Sequence, residues 1–133
     1  MPADAKMLTL PGATLVCCAT GCDTSRLEGH DVEAREFGAH GGRVNVFEVL
    51  AALAEREVND VLVEAGPLLA GYLVEKELVD ELVIYLAPHI MGSETRGMFT
   101  TPHWLVLGDR QALDMTDIRR VGQDLRITAR LVS

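Results

Sequence analysis

Val61-Leu62-Val63-Glu64-Ala65-Gly66-Pro67-Leu68-Leu69-Ala70-Gly71-Tyr72 is the stretch that decides the architecture of this chain. Val61 to Val63 is a short, apolar, β-rich run of the kind found in a central parallel strand, and it ends at Glu64. Ala65-Gly66-Pro67 then turns without a linker into a helix, with Pro67 at the first helical position and Leu68, Leu69, Tyr72 and Leu73 on one face. Strand, tight glycine turn and helix in direct succession predict an α/β domain. Ligands in open α/β sheets sit beyond the carboxyl ends of strands, which makes Glu64 a candidate contact. Gly66 would let a ligand approach the backbone, and the unpaired N–H groups at the helix start suit a phosphate. The same spacing also fits a glycine turn that only makes a tight connection, with Glu64 a solvated cap residue.

Outward from this segment, the elements recur on both sides. Ala13 to Ala19 is a short apolar run ending at Thr20-Gly21, the pattern of a strand buried on both faces. Asp31 to Phe37 reads as a short peripheral strand closed by Gly38 and Gly41-Gly42. Asn45 stands where an N-cap belongs, with Glu48 three residues on, and Val46, Val49, Leu50 and Leu53 repeat at helical spacing; a helix over 46–56 follows. Leu82 to Ala87, stopped by Pro88, reads as a second central strand. Residues 91–103 show no period and read as a loop. Leu113 to Val121 and Leu125 to Val132 flank Gly122-Gln123-Asp124, and Leu125, Ile127, Ala129 and Leu131 alternate as in a half-buried hairpin strand. The expected architecture is one α/β domain: a mostly parallel sheet with flanking helices and a C-terminal antiparallel hairpin.

Composition narrows the function classes. A chain of 133 residues with 48% hydrophobic and 24% charged residues suits a single globular domain, and no apolar run reaches the roughly 18 residues of a membrane span. The first residues, Met1-Pro2-Ala3-Asp4-Ala5-Lys6, lack the pattern of a secretory signal, so a cytoplasmic protein is expected. A formal charge of −8 argues against a nucleic-acid surface; an anionic ligand must be held locally. Cys17, Cys18 and Cys22 are odd in number, and adjacent strand residues point to opposite faces, so no disulfide framework is expected. With His30 and His40 they match no closed zinc spacing, and no metal is expected.

Val63-Glu64-Ala65-Gly66-Pro67, then Leu78-Val79-Asp80-Glu81-Leu82, then Tyr85-Leu86-Ala87-Pro88 and Gly92 occur in an order that resembles the pyrimidine reductase domain of the bifunctional riboflavin-biosynthesis deaminase/reductase family. The resemblance extends more weakly from about Leu15 to the hairpin Arg119-Arg120-Val121-Gly122-Gln123-Asp124-Leu125. It implies a dihydrofolate-reductase-like fold, homodimers, and NADPH-dependent reduction of the ribosylamino sugar of a phosphorylated pyrimidine to the ribitylamino form. By position, Glu64 matches the family's substrate-binding glutamate, and Gly66, Pro67, Leu68, Leu69, Ala70, Gly71 and Tyr72 match its NADPH-binding segment. No residue of the chain is assigned a catalytic role. His89 follows Pro88 where relatives often carry a lysine. The family's early strand and loops, with lysine, serine, arginine and aspartate positions, have no counterpart before Met1. The expectation is a reductase domain truncated at its N-terminal side and inactive alone, with no deaminase domain, because a His-x-Glu with Pro-Cys-x-x-Cys is missing. Two other readings remain open: a dihydrofolate-reductase-like oxidoreductase with another substrate, and a catalytically silent nucleotide-binding or assembly module.

Overall fold

The computed structural model describes residues 5–132. By contacts the chain divides after Leu62 into two compact units, each taken by itself below.

The first unit is built on a parallel pair, β1 (Thr14–Ala19) and β2 (Val32–Phe37), in register from Thr14 opposite Val32 to Ala19 opposite Phe37. Parallel strands need a crossover that returns along the strand, and residues 20–31 supply it, with a short 3-10 turn at Ser25–Leu27. A small hairpin follows, β3 (Ala39–His40) and β4 (Arg43–Val44). Gly41 and Gly42 have φ of 58° and 74°, the paired left-handed conformation that a two-residue hairpin turn requires.

Helix α1 (Val46–Ala54) is capped by Asn45, whose side chain accepts from the Phe47 amide at 3.1 Å. Glu48 does reach back, but not to the Asn45 backbone amide. It accepts from the Asn45 side chain at 2.8 Å and from the Gly38 amide at 2.7 Å, because the Asn45 amide already donates to the Gly38 carbonyl. Across the unit Arg56 forks onto both oxygens of the Glu33 carboxylate, and Arg35 lies 5.2 Å over the Phe37 ring. Leu8, Phe37 and Ala52 are the buried apolar residues here.

The second unit joins α2 (Pro67–Glu75) to a three-stranded antiparallel sheet of β5 (Leu82–Leu86), β6 (Leu113–Val121) and β7 (Asp124–Leu131), in the order β5-β7-β6. Leu125, Ile127 and Ala129 of β7 stand opposite Leu86, Ile84 and Leu82, so the alternation read from sequence does define one apolar face. β6 has no clean alternation because a bulge between Met115 and Asp117 shifts its register. That shift lets Met115 face Ala129 and Ile118 face Ile127 on the same side, although the two are three residues apart. Leu73, Val74 and Ala129 form the buried apolar core.

Both helices end alike. Glu57 and Glu77 take the left-handed conformation (φ 61° and 54°), with Val58 N–H bonding Leu53 O at 3.2 Å and Leu78 N–H bonding Leu73 O at 2.9 Å. These are Schellman closures with glutamate at the position glycine normally fills. A left-handed L-residue costs roughly 1–2 kcal/mol, and glycine's greater unfolded-state freedom takes back about half of the gain. Glu77→Gly is therefore expected to raise stability by about 0.5–1 kcal/mol, read as a higher urea midpoint with unchanged slope.

Asp109 orders the chain before β6 by accepting from the Leu105 and Val106 amides at 2.7 and 2.9 Å. Those two backbone donors hold its carboxyl below the ordinary aspartate range. A depressed folded-state pKa gives stabilisation that is present above the unfolded value and lost as pH falls through the folded one. Acidification is thus expected to release hydrogen-exchange protection of both amides, and Asp109→Ala to release it at neutral pH.

Four expectations need correction. The α/β class holds, but among the described residues only β1-β2 is parallel and the other ladders are antiparallel, so the sheet is not mostly parallel. Val61 to Val63 joins no ladder, with Leu62 84% exposed; a three-residue run is a strand only when a neighbour supplies backbone partners. β5 is an edge strand antiparallel to β7, because the hairpin leaves the outer side of β7 open to it. The α1 helix also stops earlier than read, at Ala54, since Glu57 closes it before Asn59-Asp60 is reached.

The cysteines differ as well: Cys18 and Cys22 are joined by a disulfide. Cys17 and Cys18 do diverge on β1, but the turn Ala19 to Cys22, closed by Cys22 N–H to Ala19 O at 3.0 Å and with Gly21 at φ 79°, folds Cys22 back beside Cys18. No helix among the described residues is long and apolar enough to cross a membrane.

Candidate active site

The 64–72 segment lies wholly in the second unit. Glu64 is exposed and sits in the irregular run that enters α2; the absence of a ladder at Val61 to Val63 means that this run, not a strand end, places it. Gly66 is the N-cap of α2, in extended conformation (φ −72°, ψ 170°) and without any side-chain cap. Pro67 contributes no N–H, and the first helical bond runs from Ala70 N–H to Gly66 O at 3.1 Å. The Leu68 and Leu69 amides are consequently the donors that the first turn leaves over, on residues 54% and 42% exposed.

What this helix start can do chemically is hold an anion. A Cβ built at Gly66 would meet nothing within 4 Å, so the approach to those amides is open. Gly66 has no left-handed backbone to require glycine; what its missing side chain provides is clearance.

The second half of the segment is placed differently. Ala70 and Tyr72 are half-buried, and Gly71 is buried with its α-carbon facing the backbone of Thr100. A Cβ at Gly71 would stand 2.1 Å from the Thr100 carbonyl oxygen and 2.8 Å from its nitrogen. Thr100 N–H donates to Pro67 O at 2.9 Å, pinning the loop after β5 along the helix. The structure therefore brings Glu64, Gly66, Pro67, Leu68 and Leu69 together at the exposed helix start, and turns Gly71 inward against the chain itself.

Sequence reasoning missed Thr100. The available signal was Gly71, since a glycine inside a helix costs about 1 kcal/mol relative to alanine and commonly marks a close backbone approach. His89 is exposed, and its amide bonds Ala87 O at 2.8 Å. A concavity of about 270 Å³ in the same unit, lined among others by Glu77, Asp80, Gln111 and Arg130, takes in no residue of the 64–72 segment. Its polar lining and small size are unlike the mostly apolar pockets that bury organic ligands, and the exposed helix start is the better candidate. Among the described residues no group of three or more histidine, cysteine, aspartate or glutamate side chains is placed to hold a metal.

The chain belongs to the RibD C-terminal domain family, whose model matches residues 1–127. It is 40% identical over 86 residues to the riboflavin biosynthesis protein RibD of Escherichia coli strain K12, an alignment covering 65% of this chain and 23% of that protein. It is 34% identical over 88 residues to the 5-amino-6-(5-phosphoribosylamino)uracil reductase of Buchnera aphidicola, covering 66% and 42%. Among solved structures, Acinetobacter baumannii RibD (form 2) superposes with a TM-score of 0.82 at 25% identity, covering 99% of this chain and 35% of that one. The chain thus spans less than half the length of these relatives.

Proposed function

We propose that this chain is the cofactor-binding and sugar-binding part of an NADPH-dependent 5-amino-6-(5-phosphoribosylamino)uracil reductase of riboflavin biosynthesis, with a dihydrofolate-reductase-like fold, acting as a cytoplasmic homodimer. The observation that carries the reading is the start of α2: an uncapped helix with spare Leu68 and Leu69 amides, open space at Gly66, and Glu64 two residues upstream, in a chain of the RibD C-terminal domain family. The resemblance and the geometry overlap at Glu64 and Gly66 to Leu69. The substrate is named by the Buchnera relative.

The division of labour follows from donor and acceptor chemistry. Gly66, Pro67, Leu68 and Leu69 hold a cofactor phosphate through backbone N–H groups and the positive end of the helix dipole, which costs no buried cation in a chain of net charge −8. Ala70, Gly71 and Tyr72 support that turn, Gly71 by letting Thr100 pack against the helix. Glu64 accepts hydrogen bonds from the hydroxyl or amine groups of the substrate's ribosylamino end, orienting the sugar. NADPH, when bound, supplies the hydride. Positioning of this kind accounts for roughly 7–11 kcal/mol of barrier reduction when all contacts are made, and the family's lysine, serine, arginine and aspartate contacts are part of that set.

The test follows NADPH oxidation at its absorbance band with 5-amino-6-(5-phosphoribosylamino)uracil, on the protein and on its Glu64→Gln variant. Turnover reduced about a hundredfold by Glu64→Gln is expected, a loss of about 2.7 kcal/mol in transition-state contact. Full turnover by the Glu64→Gln protein would remove Glu64 from the site.

A further inference from the structure

We propose that Cys18 and Cys22 form a reversible thiol–disulfide site at the carboxyl end of β1, one that exchanges with low-molecular-weight disulfides of the glutathione type. The pair lies where β1 gives way to its turn, with Cα atoms 6.3 Å apart, inside the range that a disulfide spans without moving the backbone. Both side chains are half-buried rather than enclosed, so a small disulfide can reach them.

Three features make the site reversible. The turn does not depend on the bond: Cys22 N–H bonds Ala19 O at 3.0 Å, Thr20 bonds Phe37 O through its amide at 2.9 Å and its hydroxyl at 3.1 Å, and Gly21 N–H bonds the Glu36 carboxylate at 3.2 Å. These contacts keep the two cysteines adjacent when the bond opens. Cys18 Sγ also lies 3.7 Å from the Arg35 carbonyl, a contact that a thiol hydrogen makes and a disulfide sulfur cannot, so the reduced form has a partner of its own. Finally the bond closes a loop between residues only four apart in sequence, and short loops gain least from closure.

Cys17 does not compete. It points to the other face of β1, and burial pushes its thiol up, away from the reactive thiolate.

The exchange balances as follows. The Cys22 thiolate, in the turn, attacks the external disulfide and releases one thiol, leaving a mixed disulfide on Cys22. The Cys18 thiolate then attacks the Cys22 sulfur and releases the second thiol. Two protein thiols are oxidised, one external disulfide is reduced to two thiols, and the two protons leave with them. In a compartment rich in thiols the site rests reduced and closes as the pool oxidises.

The test uses the reduced full chain, treated in its folded state with oxidised glutathione, then acid-quenched, alkylated and mapped by mass spectrometry. The alkylatable thiols should fall from three to one, with Cys18 linked to Cys22 and Cys17 still modified by the alkylating reagent. Dithiothreitol added to the folded protein should restore all three. Cys18→Ser should leave a persistent glutathione on Cys22, and Cys17→Ser should behave as the parent. Stable separate glutathione adducts on Cys18 and Cys22 of the parent protein, no reaction at either, or a bond that opens only on unfolding would each overturn the proposal. The parent measurement decides even if a variant fails to fold.

Discussion

Gly71→Ala is expected to destabilise the protein by about 2 kcal/mol, although the change is made inside a helix where alanine is intrinsically favoured by about 1 kcal/mol. The reason is the 2.1 Å that would separate the new Cβ from the Thr100 carbonyl oxygen. Overpacking typically costs roughly 1–3 kcal/mol, occasionally more, and here the obstructing atoms are backbone, which cannot rotate aside as a side chain would. The helix or the loop must move, and the Thr100 N–H to Pro67 O bond goes with it. Urea denaturation should show a lower midpoint, and hydrogen exchange should show the Thr100 amide unprotected. Gly66→Ala, into open space, is the matched control and should change stability little. A Gly71→Ala protein of unchanged midpoint with Thr100 still protected would mean that helix and loop are not in the contact described.

The contrast between these two glycines bears on how much the sequence told. Both stand in one short segment, and by resemblance both fell within one cofactor-binding run. The structure separates them by what surrounds each: space at Gly66, the Thr100 backbone at Gly71. That distinction depends on a residue far along the chain, in a loop without periodicity, and no local pattern carries it.

The same rule sorts the rest of the fold. The Asn45 cap, the Pro67 helix start and the β7 alternation were legible because each is written within a few residues. Strand pairing was not. Val61 to Val63 and Leu82 to Leu86 are similarly apolar, yet the first joins no ladder among the described residues and the second runs antiparallel at an edge. Apolar composition reports burial or its potential and leaves direction open. Gly41-Gly42 was read only as a stop, although paired glycines also signal the two-residue hairpin that forms there. The disulfide was discounted from the divergence of Cys17 and Cys18, an argument that says nothing about Cys22 across a turn.

The second large effect is expected at Gly66. Valine there would place two methyl groups in the open approach to the Leu68 and Leu69 amides while leaving the helix itself intact, since the backbone at φ −72° is accessible to any residue. Cofactor binding should suffer and folding should not. Glu64→Gln keeps the shape of the side chain and removes only its charge, on the substrate side. The measurement is a titration of NADPH, followed by its fluorescence, against the parent protein and the two variants, each first shown to be folded by its urea midpoint. The account predicts a loss of at least about tenfold in NADPH affinity, about 1.4 kcal/mol, for Gly66→Val, and a change within about twofold for Glu64→Gln. Equal losses in the two variants, or an undiminished affinity in Gly66→Val, would contradict the assignment of the α2 start to the cofactor.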